Sequence, residues 1–474
     1  GNYKNLYIMQ LLSVKTIFLA SLSCLLISNQ TVGQVKNKNM EGQQIKLITL
    51  APGHFHSALL QKSMYSQISP VVHVYAPEGP EVKAHLSLIE GYNSRPDDPT
   101  SWKEVVFTGP DYLEKMFKDR AGNVVVMAGN NQSKTKHIKL AVENGYHVLA
   151  DKPMAINSEG FNTLKEAFKV AEKNNVLLFD VMTERYEIIN ILQQKFSQQP
   201  AIFGTLEKGT PENPAIIKES MHYFYKNVSG KPLVRPVWFY DVNQAGEGLV
   251  DITTHMVDLI QWVTFPGVKL DYTKDVQMLS AKRWTTSISP EQFTKSTKAN
   301  TFPDFLKKDV KDGNLHVYSN GEMNYKLKGI HSRVTISWDF EAPAGGGDTN
   351  FSIMRGSKAN LVIRMGKEQN FKPVLYIEPV STAPGYEQQV LNSLKNVQKQ
   401  YPGVELKKLD KGWEVVVPDK YKISHESHFA EVTKKYLHYL NVGKLPEWVV
   451  PNMLTKYYTT TQALEKAKNP QPTK

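Results

Sequence analysis

The feature that most constrains this chain is a regular alternation of short apolar runs and helix-like segments over residues 45–181. Strands are expected over 45–50, 71–75, 105–108, 123–128, 148–151 and 176–181. Helices are expected over 58–65, 84–89, 110–118, 135–144 and 158–174. Strands joined through helices pair in parallel, and a parallel sheet needs cover on both faces. The fold class read here is therefore α/β, with a Rossmann-type doubly wound parallel sheet at the N-terminal end. Such sheets take ligands beyond the carboxyl ends of their strands. The residues that follow each strand are the ones to inspect.

After the first strand comes Ala51-Pro52-Gly53-His54-Phe55-His56, with Ser57 placed to cap the next helix. The three glycine positions of a G-x-G-x-x-G dinucleotide turn fall on Ala51, Gly53 and His56, so only the central glycine remains. His54 and His56 add donors that could reach phosphate. Glu78 follows the second strand, where an acidic residue can bind ribose hydroxyls, although an exposed loop glutamate reads equally well. Asn130 and Asn131 follow the fourth strand. The fifth ends in Asp151-Lys152-Pro153, which puts a lysine at the edge of the crevice and stops the strand with a residue that has no N–H. Taken alone, that stretch also fits an ordinary strand end with a solvated lysine.

A second constellation lies about a hundred residues on, from Gly246 to Trp262. Apolar residues at 249, 252, 256, 259 and 260 make one helical face, and Asp251, His255 and Asp258 make another. Two carboxylates and an imidazole in a row could orient a substrate and move a proton. The glycines would let this helix start close to a ligand. A surface polar stripe is the plain alternative. Asp-x-x-x-His also has ligand spacing, but no third ligand is evident nearby, so no metal site is expected.

Together these segments resemble the Gfo/Idh/MocA oxidoreductase family over residues 45 to about 265. The family hallmark is a strand ending in Glu-Lys-Pro, here Asp151-Lys152-Pro153, followed by a Gly-rich helix with Asp-x-x-x-His, here Asp251 and His255. Arg185-Tyr186 resembles the family's domain junction. The resemblance implies a nicotinamide cofactor, NAD or NADP. It implies that Lys152 contacts the substrate hydroxyl and the nicotinamide ribose, that His255 is the general base, and that Asp251 assists. The cofactor-binding set expected on this basis is Gly53, His54, Phe55, His56, Glu78, Asn130, Asn131, Asp151, Lys152 and Pro153. The substrate-binding set is Arg185, Tyr186, Tyr240, Asp251 and His255. The chain departs from the family in lacking two turn glycines and in carrying Asp for Glu at 151.

Short strand-like runs at 334–338, 351–354, 361–364, 374–377 and 414–417 follow, separated by turn signals such as Gly345-Gly346-Gly347 and Pro402-Gly403. Few helices intervene, so this α+β second domain should carry a mostly antiparallel open sheet. In the family that sheet serves oligomerisation, and a homo-oligomer is expected. Residues 425–468 read as helical with a break near Pro446, and His425 and His428 as core or capping residues. The domain boundaries expected are 45–185 for the dinucleotide domain and 186–474 for the substrate and oligomerisation domain, with 34–44 as a linker.

The 474 residues carry a formal net charge of +11, but the basic residues are scattered, which argues against nucleic acid as a partner. One cysteine, Cys24, excludes intrachain disulfides and thiolate metal clusters. Lys4 and Lys15 precede an apolar run over 16–27, and Thr31-Val32-Gly33 offers small residues for cleavage, so residues 1–33 read as an export signal to the periplasm. Lipid anchoring at Cys24 is the alternative, but Leu22 stands two residues before it rather than three. No later run is long enough to span a bilayer. The expected function is oxidation of a ring hydroxyl of a saccharide, with the dinucleotide tightly held because an exported protein meets no cofactor pool. A redox-neutral NAD-dependent glycosidase of the same fold and a non-catalytic saccharide-binding protein are the alternatives.

Overall fold

The computed structural model describes residues 40, 42–228, 230–381 and 383–472. The signal, the anchor at Cys24 and most of the linker lie outside the described residues.

Six parallel strands form the first sheet: β1 (Leu47–Leu50), β2 (Val71–Ala76), β3 (Lys103–Thr108), β4 (Val124–Met127), β5 (His147–Asp151) and β6 (Leu178–Val181). Their spatial order is β3-β2-β1-β4-β5-β6, so the order reverses between β1 and β4. Every residue of β1, β4 and β5 is buried, which is why these segments read as continuous apolar runs. The crossover helices α1 (Pro80–Ser94), α2 (Tyr112–Asp119), α3 (Asn131–Glu143) and α4 (Ser158–Lys173) match the expected positions. Asn130 caps α3 by accepting from the amides of Gln132 and Ser133, and Asn157 caps α4 through Gly160.

One expected cap is corrected. The segment after β1 is a 3-10 helix, Phe55–Lys62, and His54 rather than Ser57 caps it, accepting from the amide of His56. A 3-10 turn starting at Phe55 leaves Ser57 already inside the helix, where its hydroxyl bonds His85 Nδ1 at 2.7 Å.

The chain then passes through α5 (Ile188–Ser197) into the second sheet. Its strands are β7 (Ile216–Tyr225), β8 (Val276–Ile288), β9 (Asn314–Leu327), β10 (Ile330–Glu341), β11 (Thr349–Arg355), β12 (Ala359–Met365), β13 (Val374–Pro379), β14 (Glu405–Leu409) and β15 (Gly412–Val416). They lie in the order β8-β9-β10-β7-β11-β12-β13-β15-β14, and the two-residue strand Val310–Lys311 joins the β9 edge. Only the β10–β7 pair is parallel, so the sheet is mostly antiparallel as expected. In β10, Ser332, Val334, Ile336, Trp338 and Phe340 are buried on one face. On the other face Glu322, Thr335, Glu219, Phe351 and Arg364 form a cross-strand row.

The segment expected as one helix from Gly246 is two pieces. A single 3-10 turn, Gly248–Val250, ends at Asp251 (φ −98°, ψ −89°), and α6 (Thr253–Thr264) starts afterwards. The glycine there serves packing rather than a ligand. A Cβ on Gly248 would lie 1.9 Å from the Ser319 carbonyl oxygen of β9.

After α7 (Tyr386–Gln400), the helices α8 (His425–Val442) and α9 (Val449–Lys468) return to the first sheet. Phe429, Val432, Tyr436, Leu437 and Leu440 of α8 join the core with Leu47, Val72, Val124 and Leu149. Val449, Met453 and Tyr457 of α9 complete the core on the opposite face, with Ile48, Val125 and Val148. No helix among the described residues is long and apolar enough to cross a membrane.

Candidate active site

The end of β5 carries the first element of the site. Asp151 is buried, and its carboxylate Oδ1 accepts from the Lys152 amide at 2.9 Å. The Lys152–Pro153 peptide is cis. The lysine side chain runs to the second domain, where Nζ lies 2.7 Å from Asp251 Oδ1 and 3.4 Å from the Asp251 carbonyl oxygen. The break before α6 is what permits this. It frees the Asp251 backbone from helical geometry and turns both its oxygens to the lysine.

His255, in the first turn of α6, completes the group. Its Nδ1 is buried and has no hydrogen-bond partner. Burial, and then the charge of Lys152, hold its pKa well below the usual histidine value, so the ring is neutral and has one unprotonated nitrogen. A buried polar atom without a partner is uncommon and marks a position where a ligand atom would fit.

Asp258 does not share this face. Its carboxylate receives the Arg185 guanidinium through two bonds of 2.7 and 2.6 Å and Lys456 Nζ at 3.1 Å. Burial would raise its pKa, but the two cations more than offset that and hold it below the usual carboxylate range. Arg185 is thereby engaged in a buried ion network. Tyr186 is half-buried beside it against the α8 side of the first sheet. Tyr240 is 1 % exposed, stacks on Phe224 and donates to Ser296 Oγ at 2.6 Å, so it lies in the second-domain core away from any cleft.

The first turn is built differently from a glycine-rich dinucleotide turn. Ala51 adopts φ +45°, a conformation a glycine takes at no cost and an alanine takes at about 1–2 kcal/mol. Gly53 sits against the turn after β4, where an added Cβ would lie 3.2 Å from Gly129 Cα. The amides of Gly53 and His54 both donate to the Ala128 carbonyl, at 2.9 and 3.2 Å. These two donors are therefore engaged within the protein. His54 and Phe55 stack at 4.6 Å, and His56 stands edge-on to both. Asn130 and Asn131 tie the two domains together, donating to Gln244 Oε1 at 2.8 Å and the Ala245 carbonyl at 2.7 Å. Glu78 is exposed at the end of β2 and accepts from Thr108 Oγ1 at 2.7 Å.

Three residues without a sequence signal also reach this region. Lys134 of α3 is buried and donates from Nζ to the Asp151 carbonyl at 2.8 Å. Arg235 is buried and donates to the carbonyls of Phe224 and Tyr223. His425, expected as a core or capping residue, instead places Nε2 2.9 Å from His56 Nε2, while Ser424 caps α8. Nothing short of the folded chain could join positions 369 residues apart.

His54, His56 and Asp151 offer ligand atoms within 4.8 Å of one another. The Asp-x-x-x-His spacing at 251 and 255 does not work this way, because Asp251 pairs with Lys152.

A strand order that reverses between β1 and β4, with a lysine at the end of β5, makes the kind of crevice in which doubly wound sheets take dinucleotides. Fold and site thus define an oxidoreductase that works with a nicotinamide cofactor. Residues 52–180 match the family model described as "Oxidoreductase family, NAD-binding Rossmann fold", and residues 192–468 match the "Putative oxidoreductase C terminal domain". The chain belongs to the Gfo/Idh/MocA family. A solved structure described as a "putative oxidoreductase" from Parabacteroides merdae is 53 % identical, covers 91 % of this chain and 100 % of its own, and superposes with a TM-score of 0.90. A levoglucosan dehydrogenase in complex with NADH and levoglucosan shares the fold at 14 % identity, 90 % and 100 % coverage, and a TM-score of 0.57. A 3-ketoreductase from Actinomadura kijaniata in complex with TDP-benzene and NADP does so at 13 % identity, 89 % and 98 % coverage, and a TM-score of 0.54. No curated protein matches the chain.

Proposed function

We propose that this protein oxidises a ring hydroxyl of a saccharide or glycoside, with NAD or NADP as the acceptor. The observation that carries the reading is the buried, unpartnered Nδ1 of a neutral His255 beside the Lys152–Asp251 pair. When bound, the nicotinamide supplies the acceptor for the hydride that leaves the hydroxyl-bearing carbon. His255 takes the hydroxyl proton, and a C=O bond forms in place of the C–H and O–H bonds. Lys152 stabilises negative charge that develops on the oxygen, and Asp251 holds the lysine in place. The levoglucosan dehydrogenase that shares the fold supports the sugar assignment.

The test is turnover of a panel of glycosides and free sugars by the purified chain, followed by dinucleotide absorbance. Lys152→Ala and His255→Ala should each lower kcat by about two orders of magnitude or more while the circular dichroism spectrum is unchanged. Unchanged turnover in either variant removes that residue from the chemistry.

A further inference from the structure

We propose that His54, His56 and Asp151 bind a divalent transition-metal ion, with His425 as the outer partner that orients His56. The three inner residues come from two adjacent pieces of chain, the turn after β1 and the end of β5. Their ligand atoms converge within 4.8 Å. Two imidazoles and one carboxylate are the donor set of a facial triad, which leaves further coordination positions open. His56 Nδ1 and Asp151 Oδ2 are 2.9 Å apart. Two neighbouring ligands on one ion, each bonded at about 2.1 Å, stand about 3 Å apart when they subtend a right angle. The inner pair is therefore already at coordination spacing. His54 Nδ1 is 4.0 Å from the same oxygen and now accepts from the His56 amide at 3.1 Å, so ligation by His54 requires that cap bond to be given up or the ring to turn its Nε2 inward.

The surroundings orient each ligand as a metal site requires. A ligating histidine usually passes its second ring N–H to an outer acceptor, which fixes the ring and its tautomer. His56 Nε2 lies 2.9 Å from His425 Nε2, so with Nδ1 on an ion the ring N–H at Nε2 would pass to His425. Asp151 Oδ1 accepts from the Lys152 amide, and the Asp151 carbonyl accepts from Lys134 Nζ, so the carboxylate is fixed with Oδ2 turned to the imidazoles. The nearby charge of Lys152 is matched by Asp251. His56 and Asp151 are buried, whereas the His54 side chain is 32 % exposed, so an ion can reach the group from the His54 side. The competing account is a plain Asp–His–His hydrogen-bond chain that rigidifies the turn and binds nothing.

Titration separates the two accounts. The full chain without a histidine tag is stripped with a chelator and titrated with Co(II) while its visible d–d bands are read. One equivalent should bind and be displaced by Zn(II). His54→Ala, in which the most exposed ligand is lost, and Asp151→Asn should weaken Co(II) binding by about 10- to 100-fold or more. His425→Ala should weaken it by about 10-fold through the outer partner. Absence of stoichiometric binding at micromolar Co(II) overturns the proposal. So does binding of equal strength in the wild type and the folded His54→Ala variant, which would put the ion elsewhere. An unaltered affinity in His425→Ala removes the outer partner. The readout is the Co(II) spectrum and not turnover, so failure here leaves the assignment of Lys152 and His255 standing, and failure of that assignment leaves this one.

Discussion

Replacing Lys456 by methionine tests the buried network that fixes helix α6, and with it His255. Lys456 is 1 % exposed, with Nζ 2.6 Å from Asp180 Oδ2 and 3.1 Å from Asp258 Oδ1. At an effective dielectric constant of 20, contacts at these distances are each worth about 5–6 kcal/mol of attraction. Removal of the ammonium and both carboxylates from water costs several kcal/mol per ion, so the intact network contributes little net stability. Loss of one member is different. Lys456→Met preserves the volume but strands Asp180 with only the Tyr457 hydroxyl, at 2.7 Å. Asp258 keeps both bonds from Arg185. The expected destabilisation is about 3–5 kcal/mol. Adding Asp180→Asn removes the stranded charge and retains an acceptor for Tyr457, so the double variant should recover more than half of the loss. Urea unfolding with a common m-value is the assay. A loss below about 1 kcal/mol for Lys456→Met refutes the argument, as does a double variant no more stable than the single one.

Three further outcomes are expected. Gly248→Ala should destabilise by about 1–3 kcal/mol or more, because the new methyl meets the Ser319 backbone rather than a side chain that can move; calorimetry showing an unchanged Tm would contradict the packing. Burial lowers the pKa of His85 and of His137 to about 4, so both stay neutral in the folded state while the unfolded chain takes up protons below about 6.5. Each therefore stabilises above about 6.5 and loses its contribution, at up to about 1.4 kcal/mol per pH unit, as pH falls toward 4. His85→Asn with His137→Asn should flatten that acid limb relative to the wild type, against a background in which half-buried Glu104, with its pKa raised to about 7, acts in the opposite sense; an equal slope in both proteins would show that these rings do not titrate as described. Protein purified without added cofactor should release NAD or NADP on denaturation; a dinucleotide-free protein that turns over added NAD or NADP as an exchangeable substrate would show that the cofactor is not retained.

Much of the first sheet was legible because its central strands are buried on both faces and so carry apolar runs, as in Val124–Met127 and Val148–Ala150. The long strands of the second sheet were not. β8 and β9 each have one face in partial contact with water and place Lys282, Arg283, Asn314 and Asn324 among apolar residues, and β9 contains Gly321. Such patterns resemble loops when read without partners. Within the site, Lys152, Asp251 and His255 were legible from motif spacing. The partner of Asp258 was not, because Lys456 lies 198 residues away. His54 gave no sign that its ring would cap its own helix, since histidine is an unusual cap and the 3-10 turn shifts the start by several residues.

Helices α8 and α9 have a consequence for biosynthesis. A chain leaves the ribosome from its amino end, so residues 45–181 emerge well before residues 425–468. The first sheet would then be present while both of its cores lack Phe429, Tyr436, Met453 and Tyr457. Two large apolar faces stay open until synthesis is nearly finished, and during that interval they are binding surfaces for a holding chaperone. A nascent chain of this design remains unfinished, and therefore threadable through a narrow channel, for most of its time on the ribosome.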